Sequence, residues 1–171
     1  MSFSSTASLI STDLDNMLRG LYRDNADHAV TGTTSETDLA STSITGGVIG
    51  ATGGIEIRAA GTSAGTAGTK TIRLYFGGTV IGAALTVGTT PANYWVLKAE
   101  ITNTTASTQR ITYRYTSFNT STGAAVTDVG NYTTSSINTA SSQTLKVTGQ
   151  LGNSGDTLTQ TVMELKVIQI Q

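Results

Sequence analysis

Few side chains in this sequence are equipped for chemistry. His28 is the one histidine, and there is no cysteine. A histidine-rich metal site, a thiolate centre and a histidine pair for proton transfer are therefore excluded. Residues 46–54 and 61–68 are rich in glycine, but no Gly-Lys-Ser or Gly-Lys-Thr follows to set a lysine on a phosphate. Beyond residue 40 the carboxylates are Glu56, Glu100, Asp128, Asp156 and Glu164. Glycoside cleavage needs two carboxyl groups across a cleft. Here Glu56 stands two residues from Arg58, Glu100 two from Lys98 and Glu164 two from Lys166. That spacing reads as cross-strand ion pairs on an exposed sheet face. Asp156 closes Asn153-Ser154-Gly155-Asp156 and reads as a turn residue. No acid cluster has the spacing of a calcium loop. No enzyme, metal or cofactor is expected.

The aromatic residues divide by register. Trp95, Tyr113 and Tyr115 share the apolar phase of their segments and read as core. Tyr75, Tyr94 and Phe118 fall in the outward phase, where they stack on sugars or pack at an interface. The outward cations Arg58, Arg73, Lys98, Arg110 and Arg114 are interleaved with acids and threonine, a mixed solvated face. With a net charge of −1 and a pI near 5.7, nothing draws the chain to nucleic acid or an anionic membrane. No apolar run approaches the ~20 residues of a membrane span.

The elements that position these residues follow from periodicity. Only 12% of the 171 residues are charged, 19 are glycine and one is proline. Such material, rich in serine and threonine, favours strands and turns over long helices. Residues 8–22 carry the one helical period: Ile10, Leu14, Met17, Leu18 and Leu21 fall on one face. So short a helix is marginal alone, and its stripe needs cover. Residues 1–40 hold six acids against two arginines, a net −4, and the remainder has eight bases against five acids, a net +3. Residues 1–35 are read as an N-terminal arm with that amphipathic helix.

From Glu36 the period becomes two, and residues 36–171 are read as one β domain. Ile55, Ile57 and Ala59 alternate with Glu56 and Arg58; Ile72, Leu74 and Phe76 alternate with Arg73 and Tyr75. Gly77-Gly78 is a two-residue hairpin turn. Trp95, Leu97, Ala99 and Ile101 face one way, and Leu145, Val147 and Leu151 another segment's core. Residues 103–107 read as a polar turn, and residues 124–136 as an edge strand or loop. In the last segment Met163, Leu165 and Val167 oppose Val162, Glu164, Lys166, Ile168 and Ile170, so its end is apolar on both faces. Eight or nine short antiparallel strands result, an all-β jelly-roll sandwich. The three Asn-x-Ser/Thr triplets at Asn103, Asn119 and Asn131 read as accidents of threonine richness, since residues 1–8 lack the features of a secretory signal.

Several stretches resemble the jelly-roll virion proteins of tailed bacteriophages, both capsid cement or decoration proteins and head- or tail-fibre domains. They are residues 37–44, Gly53-Gly54-Ile55-Glu56-Ile57-Arg58-Ala59, Lys70-Thr71-Ile72-Arg73-Leu74-Tyr75-Phe76-Gly77-Gly78, residues 95–101 and residues 144–151. The most specific is the Lys-Thr-Ile-Arg-Leu-x-Phe-Gly-Gly hairpin followed by the tryptophan strand. The resemblance implies a homotrimer made in a host cytoplasm and placed on a virion. The expectation is a decoration protein that stabilises the capsid. Ile10, Leu14, Met17, Leu18 and Leu21 would anchor it on the major capsid protein, and Val162, Ile168 and Ile170 would form the subunit interface. The alternative is a fibre-type adhesin whose partner is a host-surface glycan; the shortness of the chain and its lack of a stalk weigh toward the capsid.

Overall fold

Period-two patterning builds two antiparallel sheets whose inner faces share one core. The structure, a computed structural model, describes residues 19–87 and 93–168. In chain order the strands are β1 (Arg19–Asp24), β2 (His28–Thr31), β3 (Thr37–Ile44), β4 (Gly54–Ala64), β5 (Lys70–Phe76) and β6 (Thr79–Val80). There follow β7 (Leu85–Val87), β8 (Asn93–Thr105), β9 (Thr108–Asn119), β10 (Ala125–Ser135), β11 (Gln143–Leu151) and β12 (Thr157–Ile168). The large sheet runs β1-β12-β4-β8-β9-β10, with β2 also on β12. The small sheet runs β3-β11-β5-β6, with β7 also on β5. The fold is an all-β antiparallel sandwich.

Its interior is the alternating set read from the sequence. Ile55, Ile57, Ile72, Leu74, Phe76, Trp95, Leu97, Tyr113, Leu145, Val147, Leu165 and Val167 are all buried. Each large apolar side chain so placed stabilises the fold by about 1.5–3 kcal/mol relative to exposure. Gly77 and Gly78 have φ of 55° and 80°, the backbone of a two-residue hairpin turn joining β5 to β6. The return segment is broken: Gly82, at φ 68°, lies so close to the Tyr113 ring that no Cβ would fit between them. The Tyr113 hydroxyl accepts the Ala83 N–H at 3.0 Å, and the strand resumes at Leu85.

The N-terminal boundary differs from expectation. The sheet begins at Arg19, inside the segment read as an arm, because β1 and β2 both pair with β12. Leu21 therefore lies in a strand, half-buried against the core, and not at the end of a helix. Pairing along β12 satisfies backbone groups that a short isolated helix closes only at a nucleation cost. Ile10, Leu14, Met17 and Leu18 lie outside the described residues. Of the six acids within residues 1–40, three form ion pairs among the described residues, and Asp13 and Asp15 lie outside those residues. Asp24 holds His28 at 2.8 Å, Glu36 holds Arg73 at 3.0 Å and Asp38 holds Lys146 at 2.9 Å.

Two ends of the sandwich are sealed by buried polar groups. At one, Asn103 belongs to β8 and not to a turn; its Nδ2 donates to Gly50 O and Thr139 Oγ1. Gln109 Nε2 donates to Asn103 Oδ1 and Ile137 O, and its Oε1 accepts from Ile137 N and Ser135 Oγ. The burial of Asn103 removes it as a glycosylation acceptor. At the other end Lys70 and Asp156, both 0% exposed, form an ion pair at 3.1 Å.

Candidate functional site

The outer face of the large sheet gathers most of the charged residues beyond position 40, and strand register sets their neighbours. Glu56 on β4 stands opposite Lys166 on one side and Glu100 on the other. Arg58 stands opposite Glu164 on one side and Lys98 on the other, and Lys98 in turn opposite Arg114. The face thus carries a row containing two adjacent glutamates beside a row containing three adjacent cations. Adjacent strands are about 4.8 Å apart, so the three cations span roughly 10 Å. Like charges directly opposite one another destabilise a sheet.

Of the cross-strand ion pairs expected from the sequence, the one at Glu164 forms, and those at Glu56 and Glu100 do not form among the described residues. Glu164 is engaged by Arg23 of β1 at 3.3 Å, not by Lys166. Arg114 grips Asp128 of β10 through Nε at 2.9 Å and through Nη2. The Arg114 hydrogen bond outweighs the small effect of desolvation and holds the Asp128 carboxyl below its usual range. Among the described residues no opposite charge lies within ion-pair distance of Arg58, Lys98, Glu56 or Glu100.

This surface is hollowed along the strands. One hollow of about 420 Å³ is lined by Glu56, Arg58, Lys98, Glu100, Arg114 and Lys166, among others. A second, about 560 Å³, is lined by Arg58, Val96, Lys98, Arg114, Phe118 and Asp128, among others. Arg58, Lys98 and Arg114 line both, so they mark the waist of one groove. Near its second end Tyr94 and Phe118 stack at 6.4 Å between ring centroids and 28° between planes. Tyr132, on β10 opposite Thr112, is 54% exposed beside the first hollow.

The other sequence-derived sites are not brought together. Val162 and Ile168 are half-buried, six residues apart on β12 and so about 20 Å from one another. Glu164 and Lys166 lie between them, which breaks the apolar face. Ile170 lies outside the described residues. Tyr75 is separated from Tyr94 and Phe118 by the whole sandwich, since it belongs to the small sheet, where its hydroxyl donates to Glu36 at 2.8 Å.

Sequence reasoning missed three features. Gly61-Thr62-Ser63-Ala64-Gly65 spells the Gly-x-Ser-x-Gly nucleophile motif. The structure withdraws it from chemistry: Ser63 is buried within β4, not on a strand-to-helix turn, and β12 separates it from the β2 strand of His28. Glu36 is a hub, accepting from Arg73, Tyr75 and Thr148. Asp156 is no ordinary turn residue. Burial alone would raise its pKa, but the Thr66 N–H and hydroxyl and the Lys70 ammonium together hold it below the usual carboxylate range. Lys70 also donates to Thr66 O and Gly68 O. The available signal was phase: Lys70 shares the inward register of Ile72, Leu74 and Phe76. No group of three or more His, Asp or Glu able to hold a metal ion occurs among the described residues.

The sequence matches no described protein family and no curated protein. Among solved structures, the chain is similar to the EclA C-terminal domain, a sugar-binding protein, at 13% identity and a TM-score of 0.40, over 84% of this chain and 78% of that one. That likeness is too distant to bear on what this chain binds.

Proposed function

We propose that the chain is a non-catalytic glycan-binding module of a phage virion, and that the groove on the outer face of the large sheet is its working surface. The observation that carries this reading is the groove itself: acceptors (Glu56, Glu100) and donors (Arg58, Lys98) on central strands that form no ion pair among the described residues, with a stacked aromatic pair at one end. A sugar ring presents hydroxyls that both donate and accept, and carbon–hydrogen faces that stack on aromatic rings. Charged side chains held by a sheet meet those hydroxyls with little reorganisation. Protein–protein interface cores are depleted in Lys, Glu and Asp, so a groove of this composition suits a hydroxylated ligand better than a shell protein.

The virion setting rests on the resemblance of the Lys70–Phe76 hairpin and the tryptophan strand. The chain crosses between the sheets at β2 to β3 to β4 to β5 and again at β10 to β11 to β12, and this interleaving around inner strands β11 and β12 supports the jelly-roll reading of the sandwich. A homotrimer would present three grooves and raise the strength of weak sugar contacts through avidity. Light scattering at micromolar concentration is expected to give three chain masses; a single chain mass removes the trimer.

The test of function is an array of bacterial surface polysaccharides probed with the full chain, Glu100→Ala and Lys98→Ala. Retention of the parent on at least one polysaccharide, weakened about tenfold in each variant, is the expected result. Equal retention of all three overturns the assignment to this groove. Binding to isolated capsids with none to any polysaccharide replaces it with the cement role.

A further inference from the structure

Resting on the glycan reading, we infer that the groove selects acidic sugars, and that Arg58 and Lys98 hold the sugar carboxylate at the waist where the two hollows meet. Three observations converge there. Arg58, Lys98 and Arg114 are in direct register on β4, β8 and β9, all on the outer face. Of the three, Arg114 is already neutralised, its guanidinium gripping Asp128. Glu164, the carboxylate opposite Arg58, is engaged by Arg23 instead. Among the described residues Arg58 and Lys98 are left as two facing cations in no ion pair, with Glu56, Glu100 and Glu164 lining the same hollow but out of pairing distance. An anion seated between them relieves their repulsion and accepts charge-assisted hydrogen bonds from both.

The neighbouring row sets what kind of anion fits. Glu56 and Glu100 lie two residues along the same strands, about 7 Å from the cations. They accept hydrogen bonds from hydroxyls and repel a second negative charge. The pattern therefore suits a ring with one carboxylate and free hydroxyls across the ring, as in a uronate or a nonulosonate. It disfavours a sulfated polymer that carries anions in place of those hydroxyls. Because both hollows share Arg58, Lys98 and Arg114, the acidic residue sits mid-groove. Further sugar units then extend toward Glu56 and Glu100 on one side and toward Val96 and Phe118 on the other.

The experiment is calorimetric titration of the full chain with polygalacturonate and with polysialate, each against its methyl ester, which keeps the backbone and removes the charge. At least one acidic polymer is expected to bind about tenfold tighter than its ester. Arg58→Gln and Lys98→Gln should each abolish that preference, so that acid and ester bind each variant alike within about twofold. Glu56→Gln should instead strengthen binding of dextran sulfate. Equal affinity for acid and ester, or a preference that survives Arg58→Gln, overturns the acid inference while leaving glycan binding in place. Binding of dextran sulfate tighter than either carboxylated polymer by the unmodified chain overturns it as well, as simple ion exchange. Failure to bind these polymers and every polysaccharide of the array removes the glycan reading itself.

Discussion

The two outer faces of the sandwich use charge in opposite ways. On the small sheet every charge in the central cluster is answered from within. Glu36, just before β3, accepts from Arg73, Tyr75 and Thr148; Arg73 also donates to Gln150; Lys146 pairs with Asp38 and lies 5.1 Å over the Tyr75 ring. On the large sheet Glu56 faces Glu100 and Arg58 faces Lys98. The strands of both sheets show the same alternation of charge with apolar residues. What differs is how the side chains meet: on the small sheet Glu36 pairs with Arg73 and Asp38 with Lys146, whereas on the central strands of the large sheet Glu56 faces Glu100, Arg58 faces Lys98, and none of these four forms an ion pair among the described residues. The answered charges of the large sheet lie toward its two edges, Arg23 with Glu164 and Arg114 with Asp128.

The sharpest test of answered charge is its buried extreme. Asp156→Ala leaves the Lys70 ammonium enclosed without a counter-ion and should cost about 3–5 kcal/mol, read by urea denaturation. A loss below about 1 kcal/mol would mean that the pair contributes nothing to that end of the sandwich.

Glu36→Gln tests the small-sheet cluster at a partly exposed position and should cost on the order of 1 kcal/mol at neutral pH. Burial acts to raise the Glu36 pKa, but the Thr148 and Tyr75 hydroxyls and the Arg73 and Lys146 cations hold it below its usual 4.5. A depressed carboxylate stabilises the fold above its unfolded pKa and loses that contribution as pH falls through the folded value. The gap between parent and Glu36→Gln should therefore be full at pH 7 and shrink below about pH 4.5. A gap that widens on acidification would contradict the assignment.

The smallest effect carries the opposite sign. Glu100→Gln removes repulsion across β4 and β8 and should stabilise the fold by about 0.2–1 kcal/mol, seen as a higher melting temperature. A destabilised variant would mean that the glutamate row is answered in solution and that the two faces are alike.

Much of this architecture was legible in single strands. The inward phase of Ile72, Leu74 and Phe76, the paired glycines at 77 and 78 and the alternation around Trp95 follow from geometry that a strand imposes on its own sequence. The candidate site was not legible, because it exists only across strands. Glu56 next to Arg58 resembles half of an ion pair until β8 supplies Glu100 and Lys98 as neighbours. Asp156 resembles a turn residue until Lys70, far away in sequence, folds beneath it. Residues 19–24 were misread for a related reason: the spacing of Leu14, Leu18 and Leu21 fits a helix, whereas pairing with β12 makes residues 19–24 an edge strand. Local period decides an element only where no distant strand competes for its backbone.

The placement of β11 and β12 bears on how the molecule is made. Each is an inner strand, β11 between β3 and β5, and β12 between β4 and the β1 and β2 strands. During synthesis, β3, β4 and β5 leave the ribosome long before the partners that join them. Until residues 143–168 emerge, neither sheet can close, and the nascent chain carries open hydrogen-bonding edges. Ribosome-bound chains stopped at residue 140 should be digested readily by protease, and chains that include residues 143–168 clear of the ribosome should resist it. Emergence of residues 143–168 is thus the step that commits this sandwich to fold, and a chain stopped before it exposes adhesive edges to its neighbours.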